Sequence, residues 1–151
     1  MFLFIIYSAI MILADLLTKK LAVFYLATGK EIIVIPVLLR FIYVENRGAA
    51  FGMLPDMRWF LLLVSWSVLL VIIWYVWTER CSSLWQYYGF IFIFAGTVGN
   101  FINRFFLKYV IDFINFPCFP NFPTFNLADV FINIGVILLI VFIFKQSGKE
   151  P

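Results

Sequence analysis

The chain has 151 residues, of which 65% are hydrophobic and only 13% charged, whereas a soluble domain of this size is closer to half apolar and a quarter charged. At a mean hydropathy of +1.06, folding in water would leave large exposed apolar patches, so lipid is the expected solvent for most of the chain. The net charge of +3 comes from scattered Lys and Arg with no basic run to suggest a nucleic-acid partner, and the absence of histidine excludes His-based catalysis and His-ligated metal sites.

A bilayer core about 30 Å thick takes roughly 20 helical residues per crossing, and four stretches meet that length. The first runs from about Phe2 to Ala27. Its start, MFLFIIYSAIMILADLL, lacks the basic region and small-x-small cleavage site of a signal peptide, so it reads as a retained span. The segment 28–58 follows, in which EIIVIP and LLRFIYVEN are rich in β-branched and aromatic residues and predict short strands. The second span, about Trp59 to Trp77, has tryptophan at both ends, as interfacial anchors do. A short polar turn, TERCSS (78–83), leads to the third span, about Trp85 to Phe106. The segment 107–124 contains FPCFPNFPTF, whose three prolines between positions 117 and 123 forbid a continuing helix. The fourth span is FNLADVFINIGVILLIVFIF, Phe125 to Phe144, and a polar tail closes the chain. No internal repeat or linker divides it, so 1–151 reads as a single membrane domain. Four spans put both termini on one side and Cys81 and Cys118 on opposite sides, so no disulfide between them is expected. The side carrying Lys30, Arg40, Arg47, Arg58 and Lys108 outweighs the side carrying Arg80, Lys145 and Lys149; this small bias favours external termini and, taken alone, leaves the orientation open.

Polar residues cluster at one end of the expected bundle. Asn126, Asp129 and Asn133 share one face of the fourth span, and Asn100, Asn103 and Arg104 share one face of the third. Because the third span runs away from the 78–83 turn, its polar end lies where the fourth begins, and Asp112 lies near that end too. An ionisable residue inside a membrane is expensive and points to function, although an Asp129–Arg104 pair that simply joins two helices is the plainer alternative. Two carboxylates from separate segments favour a shared proton, one group acting as base and the other as acid. Such a pair activates water without metal, histidine or a nucleophilic side chain. Asp15 and Lys19, spaced i, i+4, suit either an intrahelical ion pair or a polar contact that positions a loop or a substrate headgroup. In VENRGAAFGML (44–54) the small residues after Asn46, beginning with Gly48, suit either a tight surface turn or a loop whose backbone approaches an extended peptide.

DLLTK (15–19), NRGAAFG (46–52), GNFINR (99–104), VIDF (110–113) and FNLAD (125–129), in this order and spacing, resemble the lipoprotein signal peptidase family, signal peptidase II. The resemblance spans nearly the whole chain. It implies an all-α membrane protein of four transmembrane helices with a small extracytoplasmic β-cradle and a short amphipathic helix. It implies a catalytic dyad at Asp112 and Asp129, supported by Asp15, Lys19, Asn46, Gly48, Asn100, Asn103, Arg104 and Asn126. It further implies an aspartic endopeptidase of the bacterial inner membrane, working as a monomer, with cytoplasmic termini and the active site near the extracytoplasmic surface. The implied substrate is a diacylglyceryl-prolipoprotein, cleaved just before its lipidated cysteine; membrane lipid and globomycin-type inhibitors are further implied partners, with no cofactor, metal or nucleic acid. Two positions depart from the pattern. Asn103 stands where the family usually has Asp, and is expected to hydrogen-bond Arg104 while losing the ion pair. Lys108 stands where the family often has Gly. The main rival is a small four-helix proton-coupled transporter using Asp15, which leaves Asp112 and the long loops without a role; a structural subunit binding a partner through its polar face is the other.

Overall fold

The computed structural model describes residues 1–49, 53–78 and 81–147. Of the segments singled out in the sequence, positions 50–52 of NRGAAFG, 79–80 of TERCSS and 148–151 of the tail lie outside these. Among the described residues, four helices are long and apolar enough to cross a membrane: α1 (Phe2–Leu26), α2 (Arg58–Thr78), α3 (Leu84–Phe106) and α4 (Leu127–Ser147). Each lies within a few residues of its predicted span. Helix α3 is the central member, packed against α1, α2 and α4. It carries the bundle's small and polar residues, which suits the post, since lipid supplies no hydrophobic drive between helices and close backbone approach must take its place. At the α3–α4 crossing, Gly89 and Gly135 face each other so closely that a Cβ on Gly135 would stand 2.7 Å from the Gly89 carbonyl oxygen.

Three strands, β1 (Ile32–Ile35), β2 (Leu39–Asn46) and β3 (Val110–Asn115), form an antiparallel sheet in the order β1-β2-β3. The first two match the predicted strands. The third comes from VIDF, which the sequence marks only as the place of Asp112; its register (Val44 opposite Asp112, Asn46 opposite Val110) is set by pairing with β2, a long-range partner that local pattern does not reveal. One face of the sheet packs Phe41, Tyr43, Ile111 and Phe113 against Ala22 and Leu26 at the end of α1. Side chains alternate between faces along a strand, so Asp112, between Ile111 and Phe113, is turned to the other side. The short amphipathic helix implied by the resemblance is not among the elements of the described residues, whose 47–49 and 53–57 stretches hold only bends and turns.

Candidate active site

Asp129 lies in the first turn of α4, where a local device explains its placement. The Asn126 side-chain Oδ1 accepts the Asp129 backbone N–H at 3.0 Å, and the Asp129 Oδ2 accepts the Asn126 backbone N–H at 3.1 Å. This reciprocal pair is a capping box built from Asn and Asp. The carboxylate therefore satisfies an amide that the helix start would leave unpaired and sits at the favourable end of the helix dipole. The other oxygen, Oδ1, accepts from Asn100 Nδ2 on α3 at 2.8 Å.

Asp112 arrives from β3. Its Oδ1 accepts from Asn126 Nδ2 at 2.6 Å and its Oδ2 from Asn46 Nδ2, at the end of β2, at 2.9 Å. One residue, Asn126, thus touches both carboxylates, through its side-chain amide on Asp112 and its backbone N–H on Asp129. Asp112 is 1% exposed. Burial, and then the neighbouring Asp129 charge, raise its carboxyl to about 6, against the opposing pull of the Asn46 and Asn126 donors.

A second layer braces these groups. Lys19 Nζ donates to Asp15 Oδ2 at 2.8 Å and to Asn100 Oδ1 at 2.9 Å, while Asp15 Oδ1 accepts the Ala128 backbone N–H at 2.9 Å. The i, i+4 ion pair, one of the two readings of these residues in sequence, is therefore present, and it also ties α1 to α3 and α4. Gly99 makes room for it, since a Cβ there would collide with Asp15 Oδ2. Asn46 Oδ1 accepts the Gly48 N–H at 2.9 Å, and Arg104 Nη2 donates to the Gly48 carbonyl at 3.1 Å, which fixes the loop that follows β2. Asn103 departs from expectation: its Oδ1 takes the backbone N–H of Ile111 at 3.2 Å, rather than Arg104. The reason is that β3 runs beside the end of α3, which leaves a buried amide that needs an acceptor. The Asp129–Arg104 ion pair considered from sequence is not among the ion pairs of the described residues.

All of this borders a cavity of about 700 Å³. Asn46, Asn100, Arg104, Asp112 and Asp129 line its polar end; Val64 and Val68 of α2 and Ile134 and Ile137 of α4 line an apolar leg. Those four residues remain 37–58% exposed, so the leg opens between α2 and α4 to whatever surrounds the bundle. Two contributions escaped the sequence reading. Phe122, Pro123, Thr124 and Phe125 border the cavity, and the only hint was the aromatic content of the proline-rich stretch before FNLAD. Arg58 donates to the carbonyls of Arg104 and Phe105 at the end of α3, at 2.8 and 2.6 Å, a role for which a lone Arg at a span boundary gives no signal. Among the described residues, no cluster of His, Cys, Asp or Glu is placed to hold a metal ion.

Comparison with known proteins gives this geometry its context. Residues 7–145 match the family model described as Signal peptidase (SPase) II. The chain is 38% identical over 141 residues to a lipoprotein signal peptidase of Clostridium tetani (strain Massachusetts / E88), covering 92% of this chain and 90% of that one. It is 35% identical over 145 residues to a lipoprotein signal peptidase of Streptococcus pyogenes serotype M5 (strain Manfredo), covering 96% and 95%. Two solved structures, each described as a bacterial membrane enzyme, superpose with TM-scores of 0.89 and 0.86 at 30% identity, covering 99% and 96% of this chain and 93% and 94% of theirs. With a family match over nearly its full length, relatives well above 30% identity and four membrane-length helices, the chain belongs to the signal peptidase II family and is a multi-pass bacterial membrane protease.

Proposed function

We propose that this protein is an aspartic endopeptidase that removes the signal peptide from prolipoproteins whose lipobox cysteine already carries diacylglycerol, cleaving just before that cysteine. The observation that carries the reading is that Asp112 and Asp129, from separate segments, are both held by Asn126 at the polar end of a cavity whose other end is apolar. The kinship with proteins named lipoprotein signal peptidases supports the same substrate class. The substrate's acyl chains stay in lipid beside α2 and α4 while its peptide bond enters the polar end. Whichever carboxylate of the pair is ionised takes a proton from water as the water oxygen attacks the scissile carbonyl carbon. The other, protonated, gives its proton to the amine nitrogen as the C–N bond breaks, and the pair is left with one proton, as it began. Asn side chains and backbone amides at the polar end stabilise the developing oxyanion. The chain works as one domain and one copy, with both termini in the cytoplasm, so that the site opens near the extracytoplasmic surface. Globomycin-type inhibitors occupy the same cavity.

The test is cleavage by the purified chain in vesicles. A diacylglyceryl-modified prolipoprotein is cut before its lipidated cysteine and globomycin blocks the cut, whereas the same substrate without lipid is cut far more slowly. Equal cleavage of the two substrates would remove the proposed role of the lipid.

A further inference from the structure

We infer that the β1–β2 hairpin, residues 32–38, is an interfacial membrane anchor that holds the sheet at the level of the lipid headgroups. In a half-buried strand one face is apolar and the other polar. Strand β1 is different: Ile32, Ile33, Val34 and Ile35 point alternately to its two faces, and all are 43–66% exposed. The turn continues the pattern, with Val37 76% and Leu38 45% exposed. Leu38 N–H closes the turn onto the Ile35 carbonyl at 3.1 Å, and Val37 adopts φ +65°, a conformation that glycine takes freely and a β-branched residue rarely does. The tip thus displays an isobutyl and an isopropyl side chain where a turn in water would carry glycine or asparagine.

The position of the hairpin says what meets these faces. Strand β3 is anchored to the bundle at both ends, following α3 directly and bridging to Phe125 before α4. Strand β2 rests with β3 on Ala22 and Leu26 of α1. Ala22 lies four residues below the end of α1, about 6 Å at the helical rise, so the sheet reaches down beside a membrane-spanning helix rather than standing clear of it. Strand β1, third from the bundle, packs on β2. It therefore overhangs the surface beside α1, where Phe24 and Tyr25 are likewise 75% and 55% exposed. A surrounding that is apolar on both sides of a strand, continuous with a lipid-facing helix, is the bilayer. The depth is bounded as well. Among the described residues the outer edge of β1 has no neighbouring strand, and unpaired backbone groups are not tolerated in the hydrocarbon core, so the hairpin lies in the interfacial layer, flanked by Lys30, Glu31 and Arg40. The anchor itself requires no peptidase activity. Its consequence is that Asn46 and Asp112, carried by β2 and β3, are kept at the depth where a lipid-anchored peptide emerges.

The test uses the full chain, with Cys81→Ser and Cys118→Ser, carrying either Val37→Cys or Leu38→Cys labelled with an environment-sensitive fluorophore, in vesicles of phosphatidylglycerol and phosphatidylethanolamine. Arg47→Cys, whose side chain is 66% exposed, serves as the water-facing reference. Both hairpin labels should be quenched by phospholipid nitroxides placed near the headgroup, less by nitroxides near the chain end, and several-fold less than the reference by aqueous iodide. Iodide quenching equal to the reference with no response to nitroxide lipids would overturn the proposal. Thiol cross-linking of Val37→Cys between two copies in place of lipid contact would also overturn it, since a second chain would then be the occupant. Because the readout is fluorescence, loss of peptidase activity in these variants does not bear on it.

Discussion

Asn100 is the residue through which the buried pair on α1 reaches Asp129. A lysine ammonium can only donate, so Lys19 forces the Asn100 amide to present its oxygen to Lys19 and its NH₂ group to Asp129. Removing Lys19 alone would strand the buried Asp15 carboxylate, at a cost of about 3–5 kcal/mol, and confuse folding with function. The double variant Asp15→Leu/Lys19→Met avoids the stranded charge, although it takes the acceptor from the Ala128 N–H, and it leaves the Asn100 oxygen held only by the 3.2 Å bond from the Asn126 amide. Steady-state kinetics should show kcat reduced about tenfold to a hundredfold, the equivalent of one hydrogen bond to a charged group, with KM little changed; an equal rise in KM would make these residues part of substrate binding instead. Asp112 offers a second test at this scale. Its carboxyl is raised from 3.8 to about 6, so the folded state holds this proton more tightly than the unfolded chain does. The associated stability is fully present below about pH 4 and lost as pH rises through about 6, at most about 3 kcal/mol. Asp112→Asn has no such proton. Thermal unfolding should therefore show the parent losing stability relative to Asp112→Asn between about pH 4 and 6, and parallel pH profiles would contradict this.

At the scale of elements, the four helices were legible because each is an apolar run of membrane length, and β1 and β2 because β-branched residues crowd them. The asparagines and aspartates were legible as candidates because polar groups inside apolar helices stand out. What could not be read was how β3 is held. Asn103 looked like a neighbour of Arg104 in sequence, yet it serves the amide of Ile111, a contact created only when β3 folds back beside α3. Asn103→Asp keeps that acceptor and should retain activity and folding. Asn103→Leu leaves the Ile111 N–H buried and unpaired, and thermal unfolding should report a loss of about 1–3 kcal/mol. If both variants behaved like the parent, the amide would have another partner. Lys108 has a similar explanation. It adopts φ +75°, so a glycine there would relieve a left-handed conformation worth about 1–2 kcal/mol. Lys108→Gly should fold and cleave normally, with unfolding shifted upward or unchanged.

The whole molecule is a three-sided arrangement of α1, α2 and α4 about α3, with a polar end capped by the sheet and a gap between α2 and α4. In lipid such a gap gains little from hydrophobicity, because the chains it takes up are already in an apolar solvent; its value lies in shape and access. Val68 is 37% exposed and lines the apolar leg, so Val68→Trp should obstruct it, raising KM for lipidated substrate while leaving kcat near the parent value, and an unchanged KM would mean that substrate enters elsewhere. The central claim is that Asp112 and Asp129 act as one unit, and it is tested most directly by single-turnover cleavage of a diacylglyceryl-prolipoprotein by Asp112→Asn, Asp129→Asn and the double variant, each shown to insert and fold. Groups that act together are lost together: each single variant should be as inactive as the double. Parental cleavage by either single variant, or losses that simply multiply in the double, would contradict the shared-proton pair.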